Sequence, residues 1–516
     1  MQTFTIRKEE VRSRHGLVAA QNHHAALAGA GVLASGGNAM DAAVTTALTL
    51  SVVEPWLSGI GGGGFLLHAD AASGRIDALD FNVVAARGLD PSDYRLVGAA
   101  SGNWFDWPAV EGDRNGSGFH SIAVPGAVAG LAEALDRFGT ISFADALEPA
   151  IEHAERGLEI DWFAALSIAA DAAGLAQFPA SAELFLEAGR APKPGERGSS
   201  IRRPMHRKAS LMRRLAQAGA QDFYEGEIAR ILVEDLEAGG SAIRLADFAA
   251  FKPTWHEPLR GAYRDVEVNT IPGLSGGPSF LQACSQLEAS AIDADTSTAD
   301  AALLYAEAIR EAYRIRLQVM GHAANPQVGC TTHVSVVDSA GNMVSLTNTL
   351  LSRFGSKVVL PQAGLLLNNG IMWFDPRPNQ PNSIAPGAKP LANMCPLILR
   401  RPDGTMLSIG AAGGRTIFPT LLQLTSYIVD YGMSLEAAFH MPRVDASTPT
   451  IRVNAHAAPN VAARVGTRFP VEIVEDTLYP TNFAVPSAVM RLPDGQNVGM
   501  AHQTSPWAAV AIGERN

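Results

Sequence analysis

Cys330-Thr331-Thr332-His333-Val334-Ser335-Val336-Val337-Asp338 reads as a β-strand, with Val334, Val336 and Val337 as its apolar body. Ser339-Ala340-Gly341-Asn342 follows, a turn signal with two residues that tolerate positive φ. Met343-Val344-Ser345-Leu346-Thr347-Asn348-Thr349 reads as a second strand, apolar and polar residues alternating. Together they make a hairpin. If its turn centres on Ala340, Thr331 lies opposite Thr349, with cross-strand Cβ atoms roughly 5 Å apart. Two threonine hydroxyls would then share a hydrogen bond at one end of the hairpin. A slip of one residue would move that pairing to the other face. Taken alone, the stretch also reads as an ordinary hairpin, because threonines are common in strands.

Around it lie 516 residues, enough for roughly three domains of about 150 residues or for one large two-sheet domain. Hydrophobic residues make up 47% and charged residues 18%, the balance of a globular chain with a sizeable core. The formal net charge of -11 argues against a nucleic-acid partner, which would need a basic face. Three cysteines, Cys284, Cys330 and Cys395, form no disulfide framework. The first ten residues hold no apolar core of a signal peptide, and no apolar run is long enough for a membrane span. The expected compartment is the cytoplasm, with no membrane partner.

Working outward, Leu17–Ala20 is a strand candidate and Ala25–Ser35 an alanine-rich helix stopped by Gly36-Gly37. Asn38 is placed to cap a second helix that ends before Pro55. His23 and His24 read as structural or solvent-facing. Gly59, Gly61 and Gly64 match G-x-G-x-x-G, but a helix precedes them and strand-like Phe65–His68 follows. A dinucleotide site needs the reverse order. The glycines read instead as backbone packed against another segment. Ile76–Asn82 is a strand, and Trp104–Trp107 an aromatic loop. Ser142-Phe143-Ala144-Asp145 resembles a capping box, and residues 177–207 read as a surface excursion. Leu407–Gly410 ends a strand that runs into Ala411-Ala412-Gly413-Gly414-Arg415 and a helix from Ile417. No G-x-S-x-G, H-E-x-x-H or C-x-x-C is present, so neither a serine triad nor a metal or other cofactor is expected.

Thr-Thr-His-Val-Ser-Val-Val-Asp-x-x-Gly-Asn resembles the start of the small subunit of the gamma-glutamyltransferase family, N-terminal-nucleophile hydrolases. Glu54-Pro55 with Gly61–Phe65, the Ser275-Gly276-Gly277 turn, Tyr305–Tyr313, Leu365–Asn369 and Gly413-Gly414 match that family in its order, from about Val18 to Ser505–Ala508. The resemblance implies an α+β chain folded as a four-layer αββα sandwich. It implies self-cleavage before Thr331, giving a large chain 1–330 and a small chain 331–516 that together form one αββα unit. It allows a homodimer of such pairs.

A free α-amine titrates near about 7.7–8.0, so cleavage would place a base on the nucleophile's own residue. The resemblance makes Thr331 the nucleophile, Thr349 its orienting partner, and Gly413 and Gly414 the donors to the oxyanion. Cys330, beside the cut, is the internal rival for the nucleophile. Only nine residues separate Gly321 from Thr331, a shorter linker than family members usually carry.

The glutamyl-binding set of the family is largely replaced. Its arginine after Asp-Phe is Asn82 here, an asparagine becomes Leu351, an acid becomes Trp373, and a Ser-Ser pair becomes Ala392-Asn393. This is similar to the acylase-like and oxamate amidohydrolase-like branch. Asn82, Arg353, Trp373, Asn393 and Arg415 are the expected substrate-binding residues, with the two arginines as holders of a substrate carboxylate or as ordinary ion-pair arginines. The expected activity is hydrolysis of a small acyl amide. A true glutathione hydrolase or gamma-glutamyltransferase and an unprocessed, non-catalytic scaffold are the alternatives.

Overall fold

The computed structural model describes residues 6–100, 107–195, 200–290, 292–321 and 330–514. Two antiparallel sheets of seven strands each carry the architecture. The hairpin strands Cys330–Val337 and Met343–Leu351 are the third and fourth strands of the first sheet. Gly16–Ala20 and Ala509–Gly513 extend it on one side; Gly63–Ala69, Ile76–Phe81 and Thr254–His256 extend it on the other. The second sheet runs in the order Val11–Ser13, Asn497–Ala501, Val485–Arg491, Met406–Ala412, Leu397–Arg400, Val266–Thr270, Leu259–Tyr263.

Helices His23–Ala34 and Ala39–Val53 cover the outer face of the first sheet, and Gly277–Glu288 and Ile417–Val429 that of the second, with Thr298–Val319 packed on them. The result is the expected αββα sandwich. Strand alternation decides what each layer holds. Val334, Val336 and Leu346 join the core under the first helix layer. His333, Ser335 and Thr347 meet the second sheet in a buried polar seam. His333 Nδ1 lies 2.9 Å from Thr347 Oγ1 and its Nε2 2.9 Å from Ser335 Oγ, which also donates to the Ser408 carbonyl. Burial pushes the His333 imidazole down to about 3, so it is neutral. Gly410 makes room for it: a Cβ there would stand 2.3 Å from the ring.

The expected register holds from Val337↔Met343 to Thr332↔Asn348. It then breaks: Cys330 pairs with Leu351, and the irregularity falls on Thr331. The glycine stretch is the close-packed backbone the sequence suggested. Gly63 and Gly64 open a strand that pairs with Thr349 and Asn348, and a Cβ on Gly64 would lie 2.1 Å from the Thr347 carbonyl. Asn38 and Ser142 both make full capping boxes.

One segment departs from expectation. Within 177–207, Pro179–Phe185 forms a helix whose Ser181 and Phe185 are buried, and Ile201–Arg203 pairs with Leu158–Ile160. Ser181 donates to the Lys357 carbonyl and accepts from Val359 N–H. Phe185 and Leu186 supply the apolar contact that the Pro, Gly and Arg content masked. Of the aromatic loop, residues 104–106 lie outside the described residues, as does the linker 322–329.

Candidate active site

A cavity of about 270 Å³ opens at one end of the sandwich, where strands of both sheets terminate. Thr331 enters it from the first sheet, at the bulge, and Ala412 and Gly413 enter from the second. The Thr331 side chain is buried, and its Oγ1 makes no hydrogen bond. A buried hydroxyl without a partner is costly, and here it borders an empty space.

The hydrogen bond expected between the two threonines is not made. Thr349 Oγ1 instead accepts the Leu351 N–H at 2.8 Å. Leu351 has φ of +85°, in the left-handed region a side chain rarely adopts. The strand end bends there and the ladder shifts by one residue. Thr349 Oγ1 thus meets the turn opposite Thr331, and the bulge ends the regular register before the two hydroxyls face each other.

Gly413 closes the strand Met406–Ala412 with φ of +146°. A Cβ on it would stand 2.7 Å from Ala484 Cα, so both conformation and space select glycine. Gly414 follows with φ of +60°, opening the short turn Gly414–Thr416 ahead of helix Ile417–Val429.

The opposite wall comes from the end of helix Ala39–Val53. Pro55 disfavours helical geometry at Glu54, which takes φ −137° and ψ 59° and caps the helix. The chain then turns, and the Trp56 and Leu57 carbonyls accept the Phe354 and Leu350 N–H groups. These bonds tie Glu54 and Trp56 to the strand end that faces Thr331. Phe163 and Tyr479 add aromatic surface.

Arg353, Lys357 and Asp171 make up a charged side of the cavity. Lys357 Nζ lies 2.5 Å from Asp171, and Arg353 Nε 3.9 Å from it. The Arg353 guanidinium lies 4.8 Å from the centre of the Tyr479 ring. Asp476, also on the cavity, is paired at 3.5 Å with buried Arg443; desolvation raises its carboxyl, with Arg443 opposing.

Of the five expected substrate-binding residues, Arg353 alone borders this cavity. Asn82 is buried, donating to the Pro390 carbonyl and accepting from Val83 N–H. Trp373 is fully enclosed, and its carbonyl accepts from Asn382. Asn393 accepts from the buried Arg316 guanidinium. Arg415 donates to the Ser447 carbonyl and lies 5.5 Å from the centre of the Tyr313 ring. Glu54, Asp171, Lys357 and Tyr479 were not singled out as site residues from sequence. Glu54-Pro55 carried a signal, a helix end beside the glycine stretch; Asp171 and Lys357 carried none, because they come from segments far apart in the chain. Among the described residues, no group of three or more His, Cys, Asp or Glu is arranged to hold a metal ion.

The chain is similar to known proteins over most of its length. The gamma-glutamyltranspeptidase family model matches residues 25–329 and 318–511. The chain is 34% identical over 479 residues to the acylase ACY 1 proenzyme of Pseudomonas sp. (strain V22), covering 86% of this chain and 84% of that one. It is 31% identical over 486 residues to the glutathione hydrolase proenzyme of Bacillus subtilis (strain 168), covering 84% and 80%. The crystal structure of cephalosporin acylase from Bacillus halodurans superposes with a TM-score of 0.86 at 24% identity, over 99% of this chain and 98% of that one; it supports the fold. On the matched model and these relatives, the chain belongs to the gamma-glutamyltranspeptidase family.

Proposed function

We propose that the chain cuts itself between Cys330 and Thr331, and that the new N-terminal threonine hydrolyses a small acyl amide. Thr331 Oγ1 attacks the amide carbonyl while its own α-amine takes the hydroxyl proton. The N–H groups of Gly413 and Gly414 receive the oxyanion. The amine leaves with a proton, and water then releases the acyl group from Thr331. The observation that carries this reading is the buried, unpartnered Thr331 Oγ1 on a cavity shared with Gly413. An α-amine titrating near about 7.7–8.0 is partly unprotonated at neutral pH, as the general-base step needs.

The positions of Arg353 and Lys357 support a role in holding a carboxylate of the acyl group. The acylase and glutathione hydrolase relatives carry the name proenzyme, which supports processing into chains 1–330 and 331–516 within one αββα unit. A homodimer of such pairs and a cytoplasmic location belong to the same reading. No helix among the described residues is long and apolar enough to cross a membrane.

A denaturing gel and N-terminal sequencing test the proposal. Two chains are expected, the smaller beginning Thr-Thr-His-Val, and Thr331→Ala should stay a single chain without turnover. A small chain beginning at Cys330, or equal activity of Thr331→Ala and the unaltered chain, would overturn it.

A further inference from the structure

Glu54 stands on the wall of the Thr331 cavity, and the reaction proposed above makes no use of it. Its carboxyl group is buried, and Oε2 has no hydrogen-bond partner. Such an atom is expensive to keep. Thr331 Oγ1 borders the same space with the same lack of a partner. Gln21 Oε1 and Ser167 Oγ on the same wall are likewise buried without a partner. Of these four oxygens Glu54 Oε2 alone belongs to an ionisable group, so a polar substrate is the partner the site calls for.

We infer that Glu54 is a specificity-determining residue that donates a hydrogen bond to an acceptor oxygen of the bound acyl group. This rests on the proposed hydrolysis at Thr331 and deepens it. A carboxyl group donates only in its protonated form, and three features of the site favour that form. Burial penalises the anion. Glu54 also caps the C-terminal end of helix Ala39–Val53, where unpaired carbonyls make the local field negative. The cation that would best stabilise its anion, Arg353, is shared with Asp171 and the Tyr479 ring. Together, desolvation outweighs the Arg353 charge and Glu54 is pushed up to about 8.

The other charges facing this corner are few. Lys357 is paired with Asp171, and Asp476 with Arg443. Lys208, on the helix packed behind, gives its ammonium to the Ser51 carbonyl. His23, His24, His153, Glu159, Asp161 and Arg202 line a separate cavity behind Val52 and Val53. Within the Thr331 cavity, then, a neutral acid and a guanidinium line the same space. That pairing suits an acyl group bearing a carboxylate or a second carbonyl, which can accept from both. It disfavours an ammonium, which would find no anion at Glu54.

Two measurements test this on the processed enzyme. Infrared difference spectra between the unaltered protein and Glu54→Gln at pH 7 should show the band of a protonated carboxyl, fading above pH 8 as Glu54 ionises. This readout needs no turnover, so it stands even if the proposed hydrolysis fails. With a glutaryl anilide as substrate, Glu54→Met should raise KM about tenfold, near the worth of one hydrogen bond, with kcat changed less. Glu54→Gln keeps a donor and should recover most of that loss and flatten the alkaline fall of kcat/KM. Absence of the carboxyl band, or a Gln variant as impaired as the Met variant, would overturn the inference.

Discussion

Gly62 and Thr349 meet backbone to backbone: a Cβ on Gly62 would stand 1.9 Å from the Thr349 carbonyl oxygen. The same glycine's carbonyl accepts the Gly126 and Ala127 N–H groups. One residue thus joins the strand end opposite the nucleophile to the next helix. Gly62→Ala should cost more than the roughly 1–3 kcal/mol of ordinary overpacking, because a backbone carbonyl cannot rotate away. Denaturant midpoints and soluble yield check it. A variant as stable as the unaltered protein would show that the strand end yields freely.

Thr349→Ala removes the acceptor for the Leu351 N–H, a bond worth about 0.5–1.5 kcal/mol. Leu351 holds a positive φ that this bond helps fix. The substitution should leave the fold intact and slow both processing and turnover, since it loosens the bulge beside Thr331. Thr349→Ser keeps the oxygen and should recover most of the rate. Time courses of chain cleavage on a gel, with kcat for the processed fraction, separate the two. Equal rates in Thr349→Ala and the unaltered chain would remove Thr349 from the mechanism.

The hairpin register and the helix caps at Asn38 and Ser142 were legible because each is set by residues close in sequence. The close glycine packing was legible from glycine density, although its partner strand lies far along the chain. Val334 and Val336 alternate with His333 and Ser335, and that alone assigns the faces of the strand. The bulge at Thr331 was not legible. It depends on Leu351 adopting positive φ under the pull of Thr349 Oγ1, which no spacing rule encodes. The cavity walls were harder still. Arg353 and Lys357 share one segment, but Asp171 and Tyr479 come from two distant ones, and only the tertiary fold brings the four together. Single positions in the family pattern pointed to Asn82, whose side chain is spent on the Pro390 carbonyl, and to Trp373, which is fully enclosed away from the cavity.

His333 makes stability depend on acid pH. Its folded pKa of about 3 lies below the unfolded value near 6.5. Between those values the unfolded chain takes up a proton that the folded chain refuses. Stability is therefore full above about pH 6.5 and falls as pH drops toward about 3, by at most about 1.4 kcal/mol per pH unit from this group. His68, lowered to about 4 mainly by burial, adds to the same trend. Urea midpoints at pH 7 and pH 5 should differ more for the unaltered protein than for His333→Gln. An equal difference would assign the acid sensitivity elsewhere.

Substrate choice follows from which charges reach the cavity. Asn82 and Trp373 replace an arginine and an acid that the family resemblance associates with glutamyl binding, and neither borders the space beside Thr331. A lost charge-assisted contact costs about 1.5–3 kcal/mol, and each 1.4 kcal/mol is about tenfold. Losing both should weaken γ-glutamyl recognition by about a hundredfold if the terms add. Arg353 and Lys357 against Asp171 leave one positive charge in excess on the cavity side, with Asp476 held by Arg443. An acyl group ending in a carboxylate meets that charge; the α-ammonium of a γ-glutamyl group opposes it. Glutaryl anilide should therefore exceed γ-glutamyl-p-nitroanilide and glutathione in kcat/KM. Arg353→Met should lower the glutaryl value about tenfold or more while changing an uncharged acyl anilide much less, since only the former uses the guanidinium. A tenfold preference for the γ-glutamyl substrates, or equal losses on both acyl classes, would place the carboxylate contact on other residues.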